Sequence, residues 1–461
     1  MEKGSRVHFV GVAGIGMSGL ASVLASQGVH VSGSDLQSNR ETDMLQSQGA
    51  RIHRGHRADH VSEKLDALIV SSAISPDHEE VLAAKRHRIP VIPRLNAVAR
   101  VLRKYRSVGV AGTHGKTTTT AMIATILKHQ GRQPSYLIGA DCPALGGNAC
   151  LDSGEWFIAE VDESDGLLVN VHSEIAVLTN IGKDHLQTYE GLEDIEQTFS
   201  RYLGKSARQV LCIDDHRVAH LAESFPKAMT VGIDVTADLE ARHLGYDRWL
   251  TSFDLYEQGS FVDRVTLPAP GNHNVRNALC ALAAAQLTGL PLADAIHGLR
   301  EFRLPHRRFE LLEENGVTVV DDYAHLPEEI EASIHAIRSG WPGRRIIAVF
   351  QPHRYSRTKA LGAEFGGAFA HADTVLVNPI YSACESQIPG TTSMKVVDAI
   401  RRDTDSVVRM IGTKDQTVRV LEETIEEGDF IISFGAGDVW KVTERLARIL
   451  ESGSFLHKIP C

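Results

Sequence analysis

The stretch RVHFVGVAGIGMSGLA, residues 6–21, decides the fold at the start of the chain. An apolar strand from Val7 to Val12 runs into a glycine-rich loop, GIGMSG at residues 14–19, and then into a helical pattern from Leu20 to Gln27. Glycines at this spacing allow a tight turn, close approach of a pyrophosphate, and close packing of the helix on the strand. The stretch therefore predicts a Rossmann-like unit whose loop binds a phosphorylated ligand.

The ligand of this first loop is a pyrophosphate, but the loop does not select a nicotinamide. Asp35 follows the next strand, 21 residues after Gly14, where a carboxylate can accept a hydrogen bond from a ribose hydroxyl. NAD and a UDP-sugar fit this arrangement equally well. A turn that serves packing alone is the less favoured interpretation.

A second phosphate loop follows a strand that begins near Ser107. It consists of Gly112, Thr113, His114, Gly115, Lys116, Thr117 and Thr118. Backbone N–H groups of such a loop hold phosphate oxygens, the lysine reaches the β and γ phosphates, and the threonine hydroxyl reaches Mg²⁺. The general Walker A pattern requires glycine where this chain has Val110. The loop is a shorter variant, which favours ATP binding but weakens assignment to a generic ATPase or GTPase.

Carboxylates at the end of the strand Trp156 to Val161 are candidates for a magnesium site. Mg²⁺ prefers oxygen ligands, and Glu160 lies at the carboxyl edge of the predicted sheet. His185 follows the next strand, within TNIGKDH at residues 179–185. From the residue types alone, Glu160 is the better ligand, and a histidine is more often a hydrogen-bonding partner.

The composition is that of an ordinary globular protein without a polyanion-binding surface. The 461 residues include 48 Lys and Arg against 58 Asp and Glu, a net charge of −10. This balance argues against nucleic-acid binding. No apolar run reaches the roughly 18 residues of a membrane span, and the first ten residues leave no room for a signal peptide. Six cysteines without C-x-x-C spacing favour reduced thiols. We expect a cytoplasmic protein without membrane insertion, either a monomer or a homodimer.

The chain is predicted to form three α/β domains. Short runs rich in Val and Ile alternate with helical patterns along its whole length, which is typical of parallel sheets. The pattern restarts near residues 106 and 307. We therefore predict domains at 1–106, 107–307 and 308–461.

Motifs in all three parts resemble those of the Mur ligases. They are, in order, GVAGIGMSGLA, VSGSD, VSSAI, AGTHGKTTT, AEVDESDG, TNIGKDH, PGNHNVRNA, LPHRRFE, DDYAHLP, QPHRYSRT and FGAGDVW. The resemblance implies a Rossmann-like N-terminal domain, a central P-loop ATPase-like domain and a C-terminal Rossmann-like domain. It also implies ATP-dependent addition of L-alanine to the carboxylate of UDP-N-acetylmuramate through an acyl phosphate, in peptidoglycan precursor synthesis.

The resemblance carries roles onto individual residues. Positions implied to bind UDP are Gly14, Ile15, Gly16, Met17, Ser18, Asp35, Ser71, Ser72, Ala73 and Ile74. ATP is implied to contact the second loop, with Asn274 and Asn277 near the adenine, Asp322 near the ribose and Arg308 at the phosphates. The implied magnesium ligands are Glu160 and His185, beside Thr117. Residues implied to surround the amino acid and the reacting carboxylate are Tyr323, His325, Arg354 and Arg357.

The implied mechanism uses cations to join anions. Lys116, Arg308 and Mg²⁺ neutralise charge during phosphoryl transfer. His325 is a candidate base for the amine, and Arg354 and Arg357 can hold carboxylates. Substrates assigned to three domains predict closure of the third domain on ligand binding.

Two departures and three alternatives stay open. Mur ligases commonly carry histidine at the position of Leu326 and threonine at that of Glu328, so preference for L-alanine over glycine or L-serine is open. A recycling ligase that attaches a tripeptide, an NAD-dependent oxidoreductase and an inactive nucleotide-binding regulator are the alternatives. The oxidoreductase leaves the Lys116 loop unexplained.

Overall fold

The computed structural model describes residues 1–184 and 188–452. The chain divides into two compact units. The first consists of Met1–Leu244, Ser252–Pro268 and Asn274–Arg303. The second consists of Gly245–Thr251, Ala269–His273 and the residues from Leu304 onward. Three sheets carry helices between their strands, so the predicted α/β class is confirmed. The exact domain limits near 106 and 307 stay predictions.

The first sheet has five parallel strands in the order β3-β2-β1-β4-β5. The strands are β1 (Arg6–Val10), β2 (His30–Asp35), β3 (Arg51–Arg54), β4 (Ala67–Val70) and β5 (Val91–Pro93). The helices are α1 (Ile15–Ser26), α2 (Arg40–Ser47), α3 (Glu79–Arg86) and α4 (Arg94–Leu102). The chain reverses direction across the sheet at β1, which opens a ligand crevice at the carboxyl ends of β1 and β4.

Helix α1 begins five residues earlier than the sequence pattern indicated. We predicted a loop through Gly19 and a helix from Leu20, but the helix begins at Ile15. Gly16 and Gly19 lower helix propensity, yet Gly19 packs so closely that a Cβ there would lie 2.7 Å from Cδ1 of Leu137. Tertiary packing therefore places these glycines inside the first turns of the helix.

The second sheet has ten strands around a central β6. They are β6 (Arg106–Ala111), β7 (Ser135–Leu137), β8 (Ala149–Cys150), β9 (Trp156–Glu160), β10 (Ile175–Leu178), β11 (Arg208–Cys212), β12 (Met229–Ile233), β13 (Leu239–Asp247), β14 (Leu250–Glu257) and β15 (Ser260–Leu267). The helices are α5 (Lys116–His129), α6 (Leu192–Gly204), α7 (His216–Ala222), α8 (Asn272–Leu287) and α9 (Leu292–Leu299). The order is β15-β14-β13-β12-β11-β10-β6-β9-β7-β8.

The strands at the two ends of this sheet were not predicted. Turns of two residues join β13 to β14 and β14 to β15, a connection that only antiparallel strands allow. Strand β8 also pairs antiparallel with β7. The buried centre follows the prediction, since Val108 and Val110 of β6 are fully buried between helices.

The third sheet lies in the second unit, in the order β16-β17-β21-β18-β19-β20. Its strands are β16 (Glu310–Asn315), β17 (Val317–Asp322), β18 (Ile346–Phe350), β19 (Thr374–Val377), β20 (Val407–Met410) and β21 (Phe430–Phe434). Its helices are α10 (Pro327–Gly340), α11 (Tyr355–Leu361), α12 (Phe365–Ala368), α13 (Met394–Asp403), α14 (Lys414–Thr424) and α15 (Trp440–Glu451). Strand β16 is antiparallel to its neighbour β17, and the pairs from β17 to β20 are parallel. Asp322, Phe434 and Phe350 are aligned, so three strands end side by side.

Three short 3₁₀ helices complete the secondary structure of the described residues: Ala58–His60, Pro143–Leu145 and Leu168–Asn170. Over residues 1–184 and 188–452, none of the helices has the length and apolar character that a membrane crossing requires. No disulfide joins the five cysteines in this part of the chain. The sixth, Cys461, lies outside it.

Candidate active site

The first glycine loop connects β1 to α1 and is fixed by Asp35 from the end of β2. One oxygen of Asp35 accepts a hydrogen bond from the N–H of Ala13 at 2.9 Å, and the other accepts from Gln37 at 3.1 Å. The N–H of Ser71 donates to the carbonyl of Val10 at 3.3 Å. The structure therefore brings Asp35 and the segment after β4 to the loop.

Within this loop, not every predicted residue faces outward. Gly14, Ile15 and Gly16 are accessible, whereas Met17 belongs to the apolar core and Ser18 is buried. The hydroxyl of Ser18 donates to the carbonyl of Ile15 at 3.0 Å. The side chains of Met17 and Ser18 thus pack inside the domain and support the loop from its buried side.

Arg94 is a cation beside this loop that the sequence analysis missed. It begins α4, and a Cβ at Gly16 would lie 3.1 Å from Nη1 of Arg94. Nη2 of Arg94 lies 3.6 Å from Asp162. A guanidinium in this position can neutralise a pyrophosphate. The position of Arg94 directly after a short strand was the only feature of the sequence that could have indicated this role.

The second loop holds Lys116 among backbone carbonyls and a carboxylate. Nζ of Lys116 donates to the carbonyls of Gly112 at 2.5 Å and Thr113 at 3.2 Å, and lies 3.0 Å from Glu163. Burial lowers the pKa of Lys116, but Glu163 and two nearby carboxylates outweigh burial and raise it above its usual value. Lys116 is therefore a charged group at the start of α5, in the position to meet a phosphate.

Thr117 and Glu160 lie together, as expected of neighbouring magnesium ligands. The hydroxyl of Thr117 donates to Oε2 of Glu160 at 2.8 Å, and the N–H of Gly139 donates to the same oxygen at 3.0 Å. A hydroxyl and a carboxylate are the hard oxygen donors that suit Mg²⁺. This pair fits the ion, whereas His185 lies outside the described residues.

Asn277 and Asn180 fix the second loop from two sides. Gly115 adopts φ +79°, and a Cβ there would lie 2.3 Å from Oδ1 of Asn277. The same Oδ1 accepts from the hydroxyl of Thr119 at 3.3 Å, and Nδ2 of Asn277 lies 3.3 Å from Oδ1 of Asn274. Asn180 accepts from the N–H of His114 at 2.8 Å. Asn277 thus contacts the loop itself, and Asn180 is a positioning residue that we missed.

In the second unit, Asp322 lies at the end of β17 and is held by two hydrogen bonds. Oδ2 of Asp322 accepts from Ser333 at 2.7 Å, and Oδ1 accepts from the N–H of Ala324 at 3.1 Å. Burial raises the pKa of Asp322 to about 6, although these hydrogen bonds and Arg308 oppose the rise. An ionised Asp322 is therefore energetically costly near neutral pH, and a ligand hydroxyl would relieve that cost.

Arg307, rather than its neighbour, organises the strand ends. Nε of Arg307 donates to Asp321 at 2.8 Å, and its terminal nitrogens donate to the carbonyls of Gly435 at 2.7 Å and Gly437 at 3.1 Å. The guanidinium of Arg308 lies 4.8 Å from the ring centre of Tyr323. Arg307 is a structural cation that the LPHRRFE motif contained but did not distinguish.

Tyr323, His325 and Arg357 lie together at this edge around His353, which Arg354 directly follows in the chain. The rings of Tyr323 and His325 are 5.4 Å apart, and His325 is 5.8 Å from His353. Nδ1 of His325 lies 3.1 Å from the carbonyl of Tyr323. Since a carbonyl only accepts, Nδ1 carries the proton and Nε2 is the basic nitrogen of the neutral ring.

The segment after β18 places two arginines around His353. Nη1 of Arg357 lies 3.0 Å from Nδ1 of His353, whose ring stacks on Tyr381 at 5.7 Å. Arg354 has φ +69°, and its buried Nε has no hydrogen-bond partner among the residues that the structure describes. A buried, unsatisfied guanidinium nitrogen is costly and suits an anionic ligand. His353 and Tyr381 are site residues that we missed.

The two departures from the family pattern have different surroundings. Leu326 is buried in the apolar core of the second unit, and Glu328 is exposed. Glu329 instead accepts from the backbone of His325 at 2.9 Å. Where Mur ligases commonly carry a histidine, this chain therefore has a leucine, Leu326, that packs in the apolar core next to His325 in the sequence.

Family models match most of the chain. The Mur ligase family catalytic domain matches residues 6–106, the Mur ligase middle domain 110–285, and the Mur ligase glutamate ligase domain 307–437.

Individual relatives match over nearly the whole length. The chain is 41% identical to UDP-N-acetylmuramate–L-alanine ligase of Pelobacter propionicus, covering 97% of this chain and 99% of that one. It is 40% identical to the enzyme of the same name from Geobacter sulfurreducens, covering 97% and 98%. The crystal structure of UDP-N-acetylmuramate–alanine ligase from Thermotoga maritima is similar, with a TM-score of 0.84, 28% identity and coverage of 97% and 99%.

Proposed function

The chain belongs to the Mur ligase family, and from that membership we propose that it joins L-alanine to the carboxylate of UDP-N-acetylmuramate at the expense of ATP. The observation that carries the proposal is a pair of phosphate loops on separate sheets, one with Asp35 and one with Lys116. An oxidoreductase needs only the first of these loops. A ligase of a nucleotide-linked sugar needs both.

We assign to the two loops the roles that membership of the Mur ligase family implies. The loop before α1, with Asp35 and Arg94, binds the UDP portion, and residues 1–106 form the UDP-sugar domain. The loop before α5 binds ATP, with Lys116 toward the β and γ phosphates. Thr117 and Glu160, together with His185 as the resemblance implies, would hold Mg²⁺, which would neutralise charge on the phosphates.

The first chemical step activates the carboxylate. Its oxygen attacks the γ-phosphorus, the bond to ADP breaks, and an acyl phosphate forms. Carboxylate and phosphate repel each other, so cations must lie between them. Lys116 and Arg308 supply fixed positive charge, and Asp322 accepts a hydrogen bond from the ATP ribose.

The second step forms the amide. The neutral amine of L-alanine attacks the acyl carbon, phosphate leaves, and the proton of the amine passes to a base. His325 is the proposed base through Nε2, since its Nδ1 is held by the carbonyl of Tyr323 at 3.1 Å. Arg354 and Arg357 hold the carboxylate of the amino acid.

Phosphate release tests this function directly. We expect release only when ATP, UDP-N-acetylmuramate and L-alanine are all present. The variant Lys116→Ala should reduce it by at least about 100-fold, because charge stabilisation is lost. The matched control is Lys128→Ala, which removes an exposed lysine from the other end of α5 and should leave the rate unchanged. Retained turnover in Lys116→Ala would exclude the assignment.

A further inference from the structure

One face of the first sheet carries a cluster of polar residues on β1, β2 and β3, beside an apolar cluster on the same face that includes Val10 and Leu68. His8 of β1 is in register with Ser32 of β2, and Ser34 of β2 is in register with His53 of β3. Registered residues of neighbouring strands share a face. The opposite face carries Val7 and Phe9, which belong to the apolar core. The polar cluster is therefore a separate feature of the domain that the glycine loop does not require.

Glu80 of α3 is the centre of this polar cluster. Its side chain is fully buried, and its two oxygens accept hydrogen bonds from different groups. Oε1 lies 2.7 Å from Nδ1 of His60, and Oε2 accepts from Ser34 at 2.6 Å and lies 3.4 Å from His56. The cluster therefore places one buried carboxyl group among imidazoles and a hydroxyl.

His8 is not satisfied by this cluster. It is fully buried, and Nδ1 lies 2.8 Å from the hydroxyl of Ser32. Its Nε2 makes no hydrogen bond within the described part of the chain and lies 3.9 Å from Oε1 of Glu80. A buried polar nitrogen without a partner is costly and uncommon in native proteins. This nitrogen points to a ligand between His8 and Glu80.

The donor set identifies the class of that ligand. His8, His60 and Glu80 each offer one atom within 4.8 Å of the others. Ligand atoms of a tetrahedral zinc site lie about 3.3 Å apart, because each is about 2.0 Å from the metal. The distances from Oε1 of Glu80 to His60 and His8, 2.7 and 3.9 Å, lie on either side of that value. Two imidazoles and one carboxylate suit zinc and other first-row divalent metals, unlike the oxygen donors that suit Mg²⁺.

A second trio shares the same carboxylate but is less suitable. His56, His78 and Glu80 also lie within 4.8 Å of one another. Nδ1 of His78 caps α3 by accepting from the N–H of Glu80 at 3.3 Å, and His56 lies 3.0 Å from the hydroxyl of Ser34. Both histidines therefore have structural roles without a metal.

We propose that His8, His60 and Glu80 bind a first-row divalent transition metal, with Zn²⁺ as the test ion, at a site distinct from the magnesium site at Thr117 and Glu160. The metal joins β1, the 3₁₀ helix Ala58–His60 and α3. The stacking of His53 on His60, with ring centres 4.1 Å apart, fixes the orientation of one ligand. Because the metal binds the folded protein and not the unfolded chain, its binding should raise the melting temperature of the protein.

The test is metal titration of the full chain after chelation, with excess Mg²⁺ present to occupy the magnesium site. Calorimetry with Zn²⁺ should show one equivalent bound, and Co²⁺ should give the visible absorption of a nitrogen-containing coordination sphere. The variants His60→Gln and Glu80→Gln should each weaken Zn²⁺ binding by more than about tenfold. Thermal unfolding with and without Zn²⁺ should show a rise for the wild type that both variants lose.

The matched control is His78→Asn, which removes an imidazole from the same cluster and keeps a residue that can cap α3. It should bind Zn²⁺ with the wild-type affinity. Absence of a one-to-one complex in the wild type would overturn the proposal. Binding that survives in both His60→Gln and Glu80→Gln, or that is lost in His78→Asn alone, would overturn the assigned ligand set. Since UDP-sugar and ATP are absent from this titration, its failure leaves the proposed ligase function intact.

Discussion

Asp322 is a buried carboxyl group whose pKa rises from its usual 3.8 to about 6. Its side chain receives hydrogen bonds from Ser333 and Ala324, yet these do not compensate for burial. The folded protein therefore binds this proton more tightly than the unfolded chain does. The protonated Asp322 therefore contributes to the free energy of unfolding. This contribution is fully present below about pH 4 and is lost as the pH rises through about 6.

The variant Asp322→Asn tests this ionisation. Its free energy of unfolding, relative to the wild type, should rise between pH 4 and pH 7 by up to about 3 kcal/mol, which corresponds to the shift of about two pKa units. Denaturant unfolding at several pH values measures the difference. Trp249, Trp341 and Trp440 all lie in the second unit, so tryptophan fluorescence reports on it. A difference for Asp322→Asn that stays constant with pH would refute the pKa assignment.

At the scale of residues, the motifs named several charged groups but neither Arg94 nor the residues that position the loops. Lys116, Glu160 and Arg354 stand in recognisable stretches at or after the ends of strands. Glu163, which lies 3.0 Å from Lys116, stood in a run of carboxylates from which only Glu160 was distinguished. Arg94 and Tyr381 reach their sites from segments distant in sequence. Such contacts depend on tertiary packing, which local pattern does not encode.

At the scale of elements, the connection between β6 and α5 depends on a glycine at the start of the helix. Gly115 has φ +79°, and a Cβ would lie 2.3 Å from Asn277 of α8. Gly131, after the end of α5, has φ +70°, but a Cβ there would have no neighbour within 4 Å among the described residues. Substitution at either glycine therefore strains the backbone, but only a side chain at Gly115 would also collide with Asn277.

The variants Gly115→Ala and Gly131→Ala separate these two effects. Each should lose about 1 kcal/mol of stability from the left-handed backbone. Only Gly115→Ala should also weaken ATP binding, by at least about tenfold, because the phosphate loop must move away from Asn277. Calorimetric titration with ATP and Mg²⁺ measures the affinity. Equal affinities for the two variants would show that the contact with Asn277 does not position the loop.

The elements themselves were predicted better than their ends. Strands β1 and β9 were predicted as Val7 to Val12 and Trp156 to Val161, and they extend over Arg6–Val10 and Trp156–Glu160. Helix α5 begins at Lys116, inside the predicted phosphate loop, because four threonines lower helix propensity where the loop geometry nevertheless starts the helix. Strands β13 to β15 were missed because they are antiparallel and half-buried. Apolar and polar residues alternate along such strands, whereas strands of the parallel core have continuous apolar runs.

At the scale of the whole molecule, the net charge of −10 coexists with anionic substrates. Lys116 lies in the first unit, and Arg354 and Arg357 lie in the second. In the proposed roles, local cations in each unit meet the phosphates and carboxylates, so the overall charge would not prevent binding.

Assignment of substrates to different parts of the chain predicts compaction when they bind. X-ray scattering should show a smaller radius of gyration with an ATP analogue and UDP-N-acetylmuramate together than without ligands. A radius that does not change would argue against closure. The variant Lys116→Ala is the control, since a loss of nucleotide binding should also remove the compaction.

The identity of the reaction is tested by measuring phosphate release while the acceptor amine is varied. UDP-N-acetylmuramate and ATP are held constant while L-alanine, glycine, L-serine and the tripeptide are compared, with the product identified by mass. For the proposed reaction, we expect the highest kcat/KM with L-alanine and a product heavier than UDP-N-acetylmuramate by one alanyl residue. Faster phosphate release with the tripeptide, or no release with any of the four, would contradict it.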